Sequence, residues 1–174
     1  MGTLIATAVW SKASLASTAR AVSLPDLVQR SSRIARATTL ESSARYEDIG
    51  DTRHIVSYSR LRVDEVLHGA TDPEIWVRTL GGRVGEVGEI VHGEAELALQ
   101  ESSLVFLHTL PDGVQQVTAM AQGHYPLAMD DAGLPRLHAS RNLAHLLGGA
   151  PSAVAQLNGM RFSEARDLIR GARR

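Results

Sequence analysis

The 174-residue chain contains no cysteine, which excludes disulfides, thiolate metal sites and a cysteine nucleophile together. Lysine is nearly absent too: Lys12 stands alone, so the positive charge is carried by arginine. A formal net charge of −1 leaves no excess to draw the chain to nucleic acid or an anionic membrane. Aromatic residues make up 4%, which is thin for a base-stacking platform. No run approaches the roughly 18 apolar residues of a membrane-spanning helix. Also missing are a G-x-S-x-G elbow, an H-E-x-x-H helix, an S-x-x-K pair and the Gly-Lys-Ser/Thr ending of a P-loop. Ser, His and Asp are all present, yet nothing local arranges them as a triad. The balance of features points away from an enzyme.

What is present fits one globular domain, with 44% hydrophobic and 21% charged residues. Residues 1–21 have no acidic side chain, carry the apolar run 4–10 and end in Ala19-Arg20-Ala21, a small-x-small pattern that a signal peptidase accepts. Against the usual form, no cation precedes the run and Lys12 interrupts it. The expectation is a degenerate signal peptide over 1–21, hence a periplasmic or secreted protein, with a cytoplasmic one as the alternative.

Ser23, Pro25 and Asp26 carry the chemistry of a helix start, and Leu24, Leu27 and Val28 must then pack on something. A first strand is expected over 34–40, and a polar loop or hairpin end over 41–53 around Gly50-Asp51. The stretch that organises the chain follows at 61–82. Residues 54–67 predict a long strand that bends or bulges, with Ile55, Leu61 and Val63 on one side and Tyr58, Arg60, Arg62 and Asp64 on the other. Residues 74–80 alternate again, setting Ile75, Val77 and Thr79 against Trp76, Arg78 and Leu80. Residues 81–89 read as a mobile glycine-rich connector, and 94–99 alternate. The apolar run Leu104 to Leu107 predicts a central strand.

Pro111-Asp-Gly113 predicts a tight turn into a hairpin over 114–121. Pro126 predicts an edge position for the strand that carries it. The character then changes: two helical turns are expected over 141–147, and a helix over 164–170 capped by Ser163 with Ala165, Leu168 and Ile169 on one face. These readings give three segments: a signal at 1–21, a β-barrel at 22–138 and a helical tail at 139–174.

The residues 23–31, of the form S-L-x-x-L-V-x-x-S, precede a V-x-x-V-L-x-G strand end at Val63, Val66, Leu67 and Gly69. An I-x-V strand at Ile75 and Val77 and an L-V-F-L strand at 104–107 follow. In this layout, roughly 23–130, the chain resembles small exported bacterial domains with an OB-like β-barrel, related to the netrin/tissue-inhibitor-of-metalloproteinase module. The resemblance implies a mainly β fold, a closed or partly open antiparallel barrel with a short N-terminal helix and a C-terminal helix. Its motifs are packing signals and speak for fold more than for function. The inhibitor branch reaches its target metal through an N-terminal cysteine, which this chain lacks.

Three constellations remain. His92-Gly93-Glu94 copies half of the zinc-deaminase signature without its cysteines. At strand spacing His92, Glu94 and Glu96 would share one side, and with His108 or His124 they form a weak metal-site candidate and the basis of a metal-dependent hydrolase reading. Gly81, Gly82, Gly85 and Gly88 have a phosphate loop's composition without its spacing, and read as a connector. Tyr58, Arg60, Arg62, Trp76 and Arg78 would share one outward face if their strands pair, the kind of basic-aromatic face with which OB-type barrels bind single-stranded nucleic acid or glycans. The leading expectation is an exported, non-enzymatic binding domain that takes a protein or surface component and needs no cofactor. A nucleic-acid or glycan binder on the Tyr58/Trp76 face is the alternative.

Overall fold

The computed structural model describes residues 18–148 and 151–172. The elements in chain order are β1 (Thr18–Arg20), α1 (Leu24–Gln29), β2 (Arg33–Ile49), β3 (Thr52–His68) and β4 (Glu74–Leu80). Then come β5 (Gly82–Val84), β6 (Val87–Glu89), β7 (Ser102–Thr109), β8 (Gln115–Val117), a 3-10 turn (Met120–Gly123), β9 (His124–Met129), β10 (Pro135–Leu137), β11 (His145–Leu147), α2 (Ala153–Leu157) and α3 (Phe162–Gly171). The fold is mainly β. Seven strands form one sheet in the order β10-β9-β7-β2-β3-β4-β8, and β8 also pairs with β7, so the strands ring round. No described helix is long and apolar enough to cross a membrane.

The central hairpin is longer than expected. The expected hairpin end is at Gly50-Asp51, but β2 runs without interruption to Ile49 before turning there into β3, so most of 41–53 is strand and not polar loop. The reason for the difference lies in burial. Beyond Leu40 most β2 residues are exposed on both faces, so that half-strand needs no apolar alternation and shows none. The expected irregularity is there as well. Register shifts between Ile34 and Ala35, Arg36 and Ala37, and Thr39 and Glu41 break the β2–β3 ladder and let one strand pair serve both the ring and a projecting ribbon.

Two apolar cores lie on opposite faces of the sheet. Ala37, Leu61, Ile75, Val77, Val105, Leu107 and Val117 form one. Ile34, Leu67, Leu104, Phe106, Tyr125 and Leu137 form the other, covered by Leu24, Leu27 and Val28 of α1 together with Val154 and Leu157 of α2 and Phe162, Ala165 and Ile169 of α3. The continuous apolar run of β7 is thereby explained: alternate residues enter different cores, so none faces water. The helices of the tail share a core with α1.

Other differences are local. The connector at 81–89 is the β5–β6 hairpin, clipped back onto the ribbon: Glu89 accepts the Ile55 N–H at 2.6 Å and meets His54 Nδ1 at 2.8 Å, while Gly81 N–H donates to Ile55 O at 2.7 Å. Residues 94–99 form no strand. Pro126 lies inside the sheet, where β9 passes from its pairing with β7 (124–126) to its pairing with β10 (127–129), so its missing N–H interrupts neither ladder midway.

Residues 141–147 are not helical. Asn142 donates its side-chain amide to Val91 O and Glu94 O, and His145–Leu147 pairs in parallel with Thr18–Arg20. α2 was not expected, although Ser152 marks its start by accepting the Ala155 N–H at 3.0 Å. α3 starts one residue before Ser163, with Glu164 accepting the Arg161 N–H at 3.3 Å. Its buried stripe is Phe162, Ala165 and Ile169, and Leu168, one residue and about 100° from Ile169, is 39% exposed. Of the expected signal segment, 1–17 lies outside the described residues. Residues 18–21 are held in the fold by the β1–β11 ladder and the Ala21 N–H bond to Leu147 O at 2.8 Å.

Candidate functional site

The five residues Tyr58, Arg60, Arg62, Trp76 and Arg78 do lie on one face. β3 and β4 pair in the register Tyr58↔Arg78, Arg60↔Trp76 and Arg62↔Glu74, which puts directly opposed side chains on the same side. The sequence reading missed a third strand. Through Glu41↔Arg60 and Ser43↔Tyr58, β2 adds Glu41, Arg45 and Glu47 to this face. Their spacing at i, i+4 and i+6, all on one side of a strand, is the available signal, hidden when 41–53 is read as a polar loop or hairpin end.

The added carboxylates change the character of the face. Arg60 donates to Glu41 at 2.7 Å and to Glu74 at 2.8 Å, and Arg62 donates to Asp64 at 2.9 Å. Glu47 receives Tyr58 OH at 2.7 Å, Arg45 Nε at 2.9 Å and two Arg78 donors at 3.0 and 3.2 Å. Burial pushes the Glu47 carboxyl up, but the hydrogen bonds from Tyr58, Arg45 and Arg78 outweigh it and hold the group below the ordinary carboxylate range. The Arg45 guanidinium lies 4.3 Å from the Tyr58 ring centroid and caps it. Trp76 is left as the open ring, 46% exposed. A face that reads as basic in β3 and β4 alone is thus charge-compensated once β2 is in place.

His92, Glu94 and Glu96 do not converge. With no strand at this segment, His92 and Glu96 are exposed while Glu94 is buried. Glu94 accepts the N–H groups of Ala95 at 2.9 Å and Leu80 at 3.3 Å, and burial pushes its carboxyl up. His124 is enclosed elsewhere, its two ring nitrogens 3.1 Å from Ser140 Oγ and 3.0 Å from Ser103 Oγ. Among the described residues no group of three or more His, Asp and Glu is placed to hold a metal ion.

Two cavities stand out among the described residues. One, of about 540 Å³, has Ser42, Ser57, Ser59 and Thr79 beside the buried Glu94. The other, of about 920 Å³, lies between α1, the β1–β11 pair and the β7–β8 hairpin. No local pattern signals the second, because its walls come from segments far apart in the chain. No protein-family model matches the chain, and no curated protein is significantly similar to it.

Proposed function

We propose that this chain is a non-enzymatic binding domain of OB-like barrel layout that engages a protein or surface component through the outer face of β2, β3 and β4, centred on Trp76. For the layout, the support is a five-stranded ring in the order β2-β3-β4-β8-β7, with β4 and β8 parallel and every other neighbouring pair antiparallel. For the partner class, the carrying observation is the compensation of Arg45, Arg60, Arg62 and Arg78 by Glu41, Glu47, Asp64 and Glu74. A phosphate backbone would have to break those pairs, and affinity for nucleic acid comes mainly from free cations. A rigid, neutral surface with one open indole and ordered arginines suits a protein partner, since Trp, Tyr and Arg dominate binding hot spots. Export belongs to the same reading. Cleavage after Ala21 would strip β1, so the mature N-terminus tests the processing site directly, and a mature chain that begins at Met1 removes the export argument.

The experiment is paired affinity capture from the native extracytoplasmic fraction, with wild-type and Trp76→Ala baits of equal stability. A protein retained by the first and lost from the second supports the reading. Identical retention by both sinks it. A Trp10→Phe background makes Trp76 the sole indole; quenching of its emission by a single-stranded oligonucleotide at low salt would favour the nucleic-acid alternative instead.

A further inference from the structure

The cavity of about 920 Å³ lies apart from the outer face and has the size of a small-ligand pocket. Its chemistry is the reverse of that face. Arg20 and Arg30 line it, and among the described residues neither guanidinium has an ion pair or hydrogen bond. His108 lines it too, with Nδ1 buried and without a hydrogen-bond partner. The unmet buried ring nitrogen is costly unless something else supplies a hydrogen-bond partner, and the exposed arginines beside it leave their donors free for an anion. Apolar side chains line it as well, those of Met120, Leu143 and Leu146. Met120 and its neighbour Ala119 hold φ values of 56° and 57°, a left-handed conformation uncommon outside glycine.

We propose that this cavity binds a small amphiphilic anion, with a carboxylate head between Arg30 and His108 and an apolar body against Met120, Leu143 and Leu146. Carboxylate oxygens would accept from both cationic donors, and the hydrocarbon would cover those apolar side chains. Burial first, and then the nearby charge of Arg30, push His108 below the ordinary histidine range. An anion seated between the two offsets that repulsion, so binding takes up a proton. The other ionisable groups facing the cavity are Arg20 from β1, Asp26 from α1 and His92 from the 91–93 segment; Asp26 is occupied by the Ser23 hydroxyl at 2.6 Å.

The test is calorimetric titration of the full chain with octanoate, with octanamide (the same tail, uncharged) and with inorganic phosphate. Octanoate is expected to bind about tenfold tighter near pH 6 than near pH 8, with proton uptake shown by the dependence of the heat on buffer ionisation enthalpy. Arg30→Gln should weaken octanoate about tenfold and Arg30→Lys should restore most of it. Arg30 is exposed and outside both cores, so these variants should fold; if Arg30→Gln does not, the octanoate–octanamide comparison on the wild-type chain decides. Equal affinity for octanamide, an unchanged affinity in folded Arg30→Gln, phosphate binding as tightly as octanoate, or no binding of octanoate would each overturn the proposal.

Discussion

His124 has both ring nitrogens beside serine hydroxyls and no acidic partner, so it is buried neutral. Burial, and then the charge of Arg141, lower its pKa to about 4. The unfolded chain takes up this proton near the ordinary value of about 6.5, whereas the folded chain resists it until about pH 4. Between those values the unfolded state binds more protons, so stability falls as the pH falls from about 6.5 to about 4, by roughly 3 kcal/mol at most. Urea midpoints measured across that window should decline in the wild type and flatten in His124→Gln. A wild-type curve flat from about pH 6.5 to 4.5 would contradict a neutral buried imidazole. The carboxyls of Glu47, Asp72, Glu89 and Asp130, all held below their ordinary range, add a loss of the same sign at lower pH. Glu94, pushed up by burial, contributes with the opposite sign above its ordinary range. In the sequence His124 reads only as a possible partner of His92, Glu94 and Glu96 in a metal site; its two hydroxyl partners lie 21 and 16 residues away.

At the scale of elements, what could be read depended on how asymmetrically each strand is buried. β4 was legible residue by residue, because Ile75, Val77 and Thr79 are buried and their neighbours are not. β7 was legible for the opposite reason, being apolar toward both cores. The outer half of β2 shows no apolar alternation because water lies on both its faces, which leaves only the spacing of its charged residues to mark it. β11 was invisible because three residues pairing in parallel with remote β1 have no local signature. The glycine at the end of β3, part of the motif that suggested the barrel, has a concrete role. Gly69 sits at φ +89°, and a Cβ there would stand 2.3 Å from Ser32 O, just ahead of β2. Gly69→Ala should therefore destabilise the chain by roughly 2–4 kcal/mol through clash and left-handed strain together. Chemical denaturation checks this, and a loss below about 1 kcal/mol would mean that the two segments separate easily.

For the whole molecule, the tail closes the core. α2 and α3 place Val154, Leu157, Phe162 and Ile169 over Leu104, Phe106 and Tyr125, and the Arg36 guanidinium lies 5.2 Å from the Phe162 ring centroid. A chain ending at residue 150 would leave that sheet face open to water. It should keep strand signal in the far ultraviolet, bind a hydrophobic dye and unfold without a sharp transition. A truncated chain that melts as cooperatively as the full one would show that the ring is stable alone.

Strands with one-sided burial, the capped α1 and the turn at Pro111–Gly113 are legible in the sequence because each rests on neighbours within a few residues, and composition alone excludes cysteine chemistry. Tertiary structure decided the rest. It brought β2 beside β3, so that Glu41 and Glu47 compensate a face that looked basic. It scattered His92, Glu94 and Glu96, and it assembled a cavity in which unpaired arginines from β1 and the end of α1 meet a histidine of β7. Charge balance and enclosure are properties of residues that meet across the fold, and no local pattern records who meets whom.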